Sequence, residues 1–311
     1  MMKRYFKQEL IYGVNSKIYY MMTLFLILLF GITLFLNYKS VVSTYDEYLR
    51  TLNYYEKNNL DIEADLAGEY QTKKTEDGEM ISNPILYHKD TVSRYIYAAS
   101  PKYNLSQLLE SSILYFPVVF GILGLLIAIN DFKYKTIKLK TVRMNKETFI
   151  IAKQLAIAFS SFLILVVGLV ISCLIGWIMY NQLPDNLPIV EFSFEPAILS
   201  SSMIIKFIFG YIIALLFTEL GYTFGTIFKN VYVGMIAIIV YMFILPNLGS
   251  FDLKNSIYYF AHKIFDFYGV IAIETPKETT FVFAALVILF VFIISFIANI
   301  FVLKKRSSFE S

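Results

Sequence analysis

The chain has 311 residues, of which 57% are hydrophobic and 16% charged, with a mean hydropathy of +0.61. A soluble domain of this length does not carry that balance, so the composition points to a lipid bilayer. The net charge of +3 is small, and the basic loops bring no groove or stacking motif with them, which argues against nucleic acid as a partner.

At the N-terminus, Phe6, Leu10, Val14 and Ile18 recur every four residues, with Lys3, Lys7 and Gln8 off that stripe. The pattern predicts an amphipathic helix over residues 1–17 lying in the membrane interface, with Gly13 and Asn15 near the bend into the bilayer. Such a helix is either a simple anchor or a lever that touches a partner.

Charge-free runs follow at Ile18–Tyr38, Ser111–Asn130, Gln154–Pro184, Asn230–Phe251 and Phe281–Leu303, and a further run, Pro196–Phe228, is broken only by Lys206 and Glu219. A helix of about 20 apolar residues crosses the hydrocarbon core. The expected architecture is therefore an all-α polytopic membrane protein in one membrane domain, with spans at 18–38, 111–130, 151–180, 200–228, 230–248 and 280–303. The first run is too long for a signal peptide and lacks a small-residue cleavage site.

Between the first two spans, residues 39–110 carry eight basic and twelve acidic side chains, too long a segment for a mere connection. Val41, Tyr45, Tyr48, Leu52 and Tyr55 keep helical spacing, so the first helix should project beyond the bilayer. Asp77-Gly78 reads as a hairpin turn, Asn83-Pro84 as a break, and residues 91–98 as a short helix before Pro101. Together they predict a small mixed subdomain. Asn104-Leu105-Ser106 fits a glycosylation acceptor, a triplet common by chance.

After the second span, residues 131–150 hold Lys133, Lys135, Lys138, Lys140, Arg143 and Lys146 against Asp131 and Glu147. Asn145 suits an N-cap for the third span and Glu147 its positive end, while Tyr134–Met144 looks like a short surface helix. Read alone, the segment is a charge cluster that sets topology. Lys229 and the tail Lys304-Lys305-Arg306 mark further basic connections, whereas 185–195 is acidic and 252–278 nearly neutral. The positive-inside rule then puts both termini in the cytoplasm and closes the parity at six spans. Within the external 252–278 segment, Ile257, Phe260, Ala261, Ile264, Phe265 and Tyr268 share one helical face opposite Tyr259, His262, Lys263 and Asp266. That predicts an amphipathic helix capped by Asn255 or Ser256, lying on the outer surface or dipping into it.

No catalytic constellation is visible. His88 and His262 lie far apart, Cys173 reads as a small apolar filler, and no phosphate-binding glycine loop occurs, so the chain reads as no enzyme and as binding no cofactor or metal. Glu219 alone sits deep in a span. It either contacts a cationic substrate or gates a cavity, or it locks helices together through Tyr211 or Tyr222. Gly221 and Gly225 share a face that lets two helices approach, within the chain or between copies, with Gly210 further along.

The layout resembles permease subunits of the type-2 ATP-binding-cassette transporters. In that family a hydrophobic-x-x-Glu-Leu helix precedes six spans, matched here by Phe6-Lys7-Gln8-Glu9-Leu10. After the second span the family runs an acidic residue, Gly-Thr, a hydrophobic and basic stretch, Ser-Arg, and further on a Lys. Here stand Asp131, Lys135-Thr136-Ile137-Lys138, Asn145-Lys146 and Lys153-Gln154-Leu155, with Lys135 in place of the usual Gly and Lys146 in place of Arg. The resemblance implies a passive half of a motor: a permease dimer, a homodimer favoured over a heterodimer, on a pair of separate cytoplasmic ATPase subunits that hold the ATP and magnesium. It further implies ATPase-coupling roles for Glu9, Asp131, Lys138, Arg143 and Lys146, in a bacterial cytoplasmic membrane. Acidic external loops and an aromatic-rich lining would suit export of amphipathic or cationic peptides, including antimicrobial ones. The alternatives are a sensor or accessory protein whose 39–110 segment binds a ligand, and an ion-coupled secondary transporter.

Overall fold

The computed structural model describes residues 2–75, 78–133, 146–185, 187–196 and 201–306. Helix α1 spans Met2–Asn15 and turns into α2, Ile18–Lys57, at Lys17, whose backbone takes the left-handed φ of 60°. The side of α1 turned toward the bundle is centred on Glu9 and Gly13, while Val14 of the apolar stripe is exposed. Glu9 makes a polar contact with another helix on that side, described below.

Helix α2 is 40 residues long, about 60 Å at 1.5 Å per residue, twice the hydrocarbon thickness. Along its C-terminal half, Val41 and Tyr45 pack with Val92 and Ile96 of α4 (Pro84–Ala99) and with Leu183, Leu187 and Phe192, so the helical spacing read from 41 to 55 is that of a packed helix face. Asn83 and Pro84 begin α4 instead of breaking the chain. The Asn83 side chain accepts from Leu86 N and Pro84 takes the first helical position, where its missing N–H costs nothing. Between α2 and α4 lie the short α3 (Ile62–Leu66) and a hairpin of β1 (Thr72–Thr75) and β2 (Gly78–Ile81). Thr75 pairs with Gly78, so the connection is residues 76–77, one position earlier than expected; these two lie outside the described residues.

Helix α5 (Pro101–Glu110) leads into α6 (Ser112–Lys133), followed by α7 (Lys146–Tyr180), a 3-10 turn at Ile189–Glu191, and α8 (Met203–Phe228). Helices α6 and α8 form the most extensive pair among the described residues. Their backbones nearly touch: a β-carbon on Gly221 would lie 2.0 Å from the Gly121 carbonyl oxygen, and one on Gly124 2.0 Å from that of Thr218. The Gly221 and Gly225 face therefore closes within the chain, and Phe116, Phe120, Phe217 and Tyr222 fill the core around it.

Among the described residues, five helices are long and apolar enough to cross a membrane: α2, α6, α7, α8 and α11 (Phe281–Arg306). The segment expected as a span at 230–248 is shorter. Nine residues of α9 (Val231–Ile239) continue into a five-residue π-helix, Val240–Ile244, together rising about 20 Å. Pro246 follows, and local polar contacts end the helix. Lys254 Nζ donates to Leu245 O at 2.5 Å, the Tyr241 hydroxyl donates to Asp252, and Asn247 Nδ2 donates to Asn255 Oδ1 at 2.8 Å. Helix α10 (Leu253–Ile264) starts here, capped by Asp252 rather than by Asn255 or Ser256. It is amphipathic as predicted and sets Leu253, Ile257, Tyr258 and Ala261 in the core, but it ends at Ile264. Residues 265–280 are non-helical and cross the middle of α2 and the end of α5, where Val270 N donates to Asn37 Oδ1 at 3.1 Å and Phe267 N to Glu110 Oε1 at 3.3 Å. At the opposite end of the bundle, α1 packs on α7 and Lys304 pairs with Glu147 at 3.6 Å, so the N-terminal helix and the end of α11 share one face.

The backbone contact makes a test. Gly221→Leu should lower the thermal unfolding midpoint of the detergent-purified protein strongly, by the overpacking penalty of about 1–3 kcal/mol or more. Gly31→Ala, with open space around it, should leave the midpoint unchanged or slightly raised.

Candidate functional site

A polar group buried in a lipid-immersed bundle must find its partner on another helix, so such partners show which helices are tied. On α1, Glu9 is only 6% exposed, and on α7, Lys153 only 2%. Lys153 Nζ donates to Glu9 Oε2 at 2.7 Å. The pair draws the Glu9 side of α1 inward, while Phe6 lies edge-on to Phe159 of α7 with ring centroids 5.7 Å apart.

The next residue on α7 continues inward. With its amide turned to donate, Gln154 places Nε2 3.0 Å from Glu219 Oε2 of α8. Asn299 Nδ2 of α11 donates to the same Oε2 at 2.8 Å. Glu219 is 2% exposed and, among the described residues, no cation pairs with it. Two side links run alongside: Ser161 and Thr218 hydroxyls 3.0 Å apart join α7 to α8, and the Thr223 hydroxyl donates to Ser295 O at 3.4 Å, joining α8 to α11. Glu9, Lys153, Gln154, Glu219 and Asn299 thus form a polar series through four helices. Its chemistry is that of mechanical connection, since the Glu9–Lys153 contact and the amide contacts to Glu219 each join two different helices.

This geometry revises the reading of Glu219. Its donors are the amides of Gln154 and Asn299 in place of the expected tyrosines, and the Tyr211 hydroxyl donates instead to Ala158 O at 3.0 Å. The carboxylate faces helices rather than an open path, so in this conformation it does not present itself to a substrate. Amides far away in the sequence leave no local signal. The one hint is that Gln154 and Asn299 are polar residues inside or beside apolar runs.

A second polar knot, at the far end of the bundle, holds α5, α8 and the 265–280 strap. Lys206 of α8, 2% exposed, donates to Asp266 Oδ2 at 2.6 Å and to Ser106 Oγ at 2.8 Å, and its ammonium lies 5.5 Å from the centre of the Tyr103 ring. Glu110 Oε1 accepts from the Tyr103 hydroxyl and from Phe267 N at 3.3 Å. Burial pushes the Glu110 carboxyl up to about 7, against the opposing pull of Tyr103 and Lys206. A lysine in an apolar run is itself the signal for such a partner, though not for which one. Asn104 is also buried here, donating to Cys173 O at 3.2 Å, so the Asn104-Leu105-Ser106 triplet is no accessible acceptor in this fold.

Of the residues to which the resemblance gives a coupling role, Asp131 lies in the last turn of α6 and Lys146 opens α7, while Lys138 and Arg143 lie outside the described residues. Glu9 is not at the surface, so its contribution to any coupling runs through Lys153. Among the described residues, no three His, Cys, Asp or Glu side chains gather to hold a metal. No protein-family model, curated protein or solved structure matches the chain.

The buried pair has a measurable consequence. Glu9→Gln takes the Glu9 carboxylate away from the buried Lys153 ammonium and should destabilise the purified protein by up to about 3–5 kcal/mol, seen as a lower unfolding midpoint. Glu9→Leu combined with Lys153→Met should recover most of that loss.

Proposed function

We propose that this chain is the permease subunit of a type-2 ATP-binding-cassette exporter in a bacterial cytoplasmic membrane. The observation that carries the reading is the Glu9–Lys153 pair. Lys153 follows the basic 131–150 segment, at the position where the resembled family keeps a Lys, and its partner is the Glu of the hydrophobic-x-x-Glu-Leu helix. The N-terminal helix, which the resemblance assigns to ATPase contact, is therefore joined to the base of α7, the helix that follows the other assigned segment. Movement imposed on either one enters the spans through Gln154, Glu219 and Asn299.

In this reading the basic end is cytoplasmic, six segments count as spans with α9 the short one, and the projecting end of α2 with α3, α4 and the hairpin is external. ATP and magnesium belong to two separate ATPase subunits, and Asp131, Lys138, Arg143 and Lys146 supply electrostatic contact with them. A second permease copy completes the path. The substrate class is an amphipathic or cationic peptide, favoured by the excess of acidic over basic residues in 39–110 and by the acidic 185–195 loop.

The test is gentle purification of the tagged chain from its native membrane with an ATPase assay. A stoichiometric ATPase that is lost with Arg143→Glu and Lys146→Glu supports the reading and its coupling segment. A clean preparation without ATPase activity overturns it in favour of a sensor or an ion-coupled transporter.

A further inference from the structure

Away from the polar series, an open groove of about 610 Å³ runs between α8 and α11 beneath α10. Its walls are apolar, with Ile208, Ile212 and Leu289 each roughly half exposed, and Phe292 at depth. Its one charged lining residue is Lys263, in the last turn of α10. Lys263 is exposed and has no acidic partner among the described residues.

The position of that lysine is informative. The Lys263 carbonyl accepts from Ser201 Oγ at 3.5 Å, just ahead of the first residue of α8, so it sits at the level where the apolar helices begin. From there the groove follows α8 from Ile205 to Leu216, a rise of roughly 16 Å. That is the depth of one leaflet, half of a hydrocarbon core of about 30 Å. A concave apolar slot that opens toward lipid forfeits dispersion contacts unless a flexible chain fills it.

We propose that the groove binds one phospholipid of the leaflet at the α10 end, an acyl chain lying between α8 and α11 and the anionic phosphate held by Lys263. A point-charge ammonium without a competing carboxylate suits phosphate, and it favours a lipid of net negative charge. A second copy of the chain fits less well. A two-fold interface sets the same patch on itself, so two concave slots would face each other and two Lys263 ammonium groups would enter one apolar contact. The site stands independently of the transporter reading, since it requires only the bilayer.

The experiment is native mass spectrometry of the full-length chain released from nanodiscs of equimolar phosphatidylglycerol and phosphatidylethanolamine. The expected spectrum shows one tightly retained lipid per chain, with phosphatidylglycerol preferred. Lys263→Ala, a surface change that leaves the core intact, should reduce that preference roughly fivefold, the worth of one cation near an anionic headgroup. Ala285→Trp, which fills the slot, should abolish retention while the unfolding midpoint stays near that of the parent. No retained lipid on the parent protein, or an unchanged preference in Lys263→Ala, overturns the proposal whether or not the Trp variant folds. Disulfide formation between copies carrying Leu289→Cys in a Cys173→Ser background would put a second chain in the groove and overturn it equally.

Discussion

A carboxylate and an ammonium held 2.7 Å apart between α1 and α7 set the terms for the rest of this bundle. Both groups are buried, at 6% and 2% exposure, so removing either one leaves a charge whose burial its partner no longer offsets. The pair lies on the side of the N-terminal helix that faces the bundle, while Val14 of the hydrophobic stripe stays exposed. It also hands the position of α1 to Lys153, and from there to Gln154 one residue on.

What Gln154 meets is a scaffold that does not deform easily. Helices α6 and α8 approach through Gly121, Gly124 and Gly221 with no side chain between them, so α8 is braced along its length. Glu219 sits on α8, with Gln154 of α7 and Asn299 of α11 both donating to it. A shift of α7 therefore either carries α11 with it or breaks a buried amide–carboxylate contact, which costs more than the shift itself when no water can replace the bond. At the other end the Lys206–Asp266 pair and Glu110 fasten the 265–280 strap over α5 and α8. The protein is thus tied at both ends by buried ionisable groups and closed in the middle by glycine.

Much of the architecture is legible in composition and periodicity. The long apolar runs at 111–130, 151–180 and 280–303 match α6, α7 and α11 within a few residues, and the continuation of α2 to Lys57 follows from the helical spacing of Val41, Tyr45 and Tyr55. The short α9 is not legible in charge alone, because residues 245–251 carry none, although Pro246, Asn247, Gly249 and Ser250 are turn formers. The helix stops through Pro246 and through Lys254 and Asp252, which act from the following element. The same holds for the site. Glu219 is conspicuous in sequence, but its amide donors come from helices 65 and 80 residues away, and only packing brings them together. Glu9 was visible as part of a motif, whereas its burial depends on a lysine 144 residues on.

The claim that the Glu9–Lys153 pair holds α1 to the spans is most directly tested by pulsed electron–electron distance measurement. Spin labels at Lys3 of α1 and Lys305 of α11, in a Cys173→Ser background, would report the position of α1 against the bundle. The account predicts one narrow distance distribution for the parent, a broad one for Glu9→Gln, and recovery of the narrow one in the swapped pair Glu9→Lys with Lys153→Glu. An unchanged narrow distribution in Glu9→Gln would show that α1 is held by apolar packing alone and would contradict it.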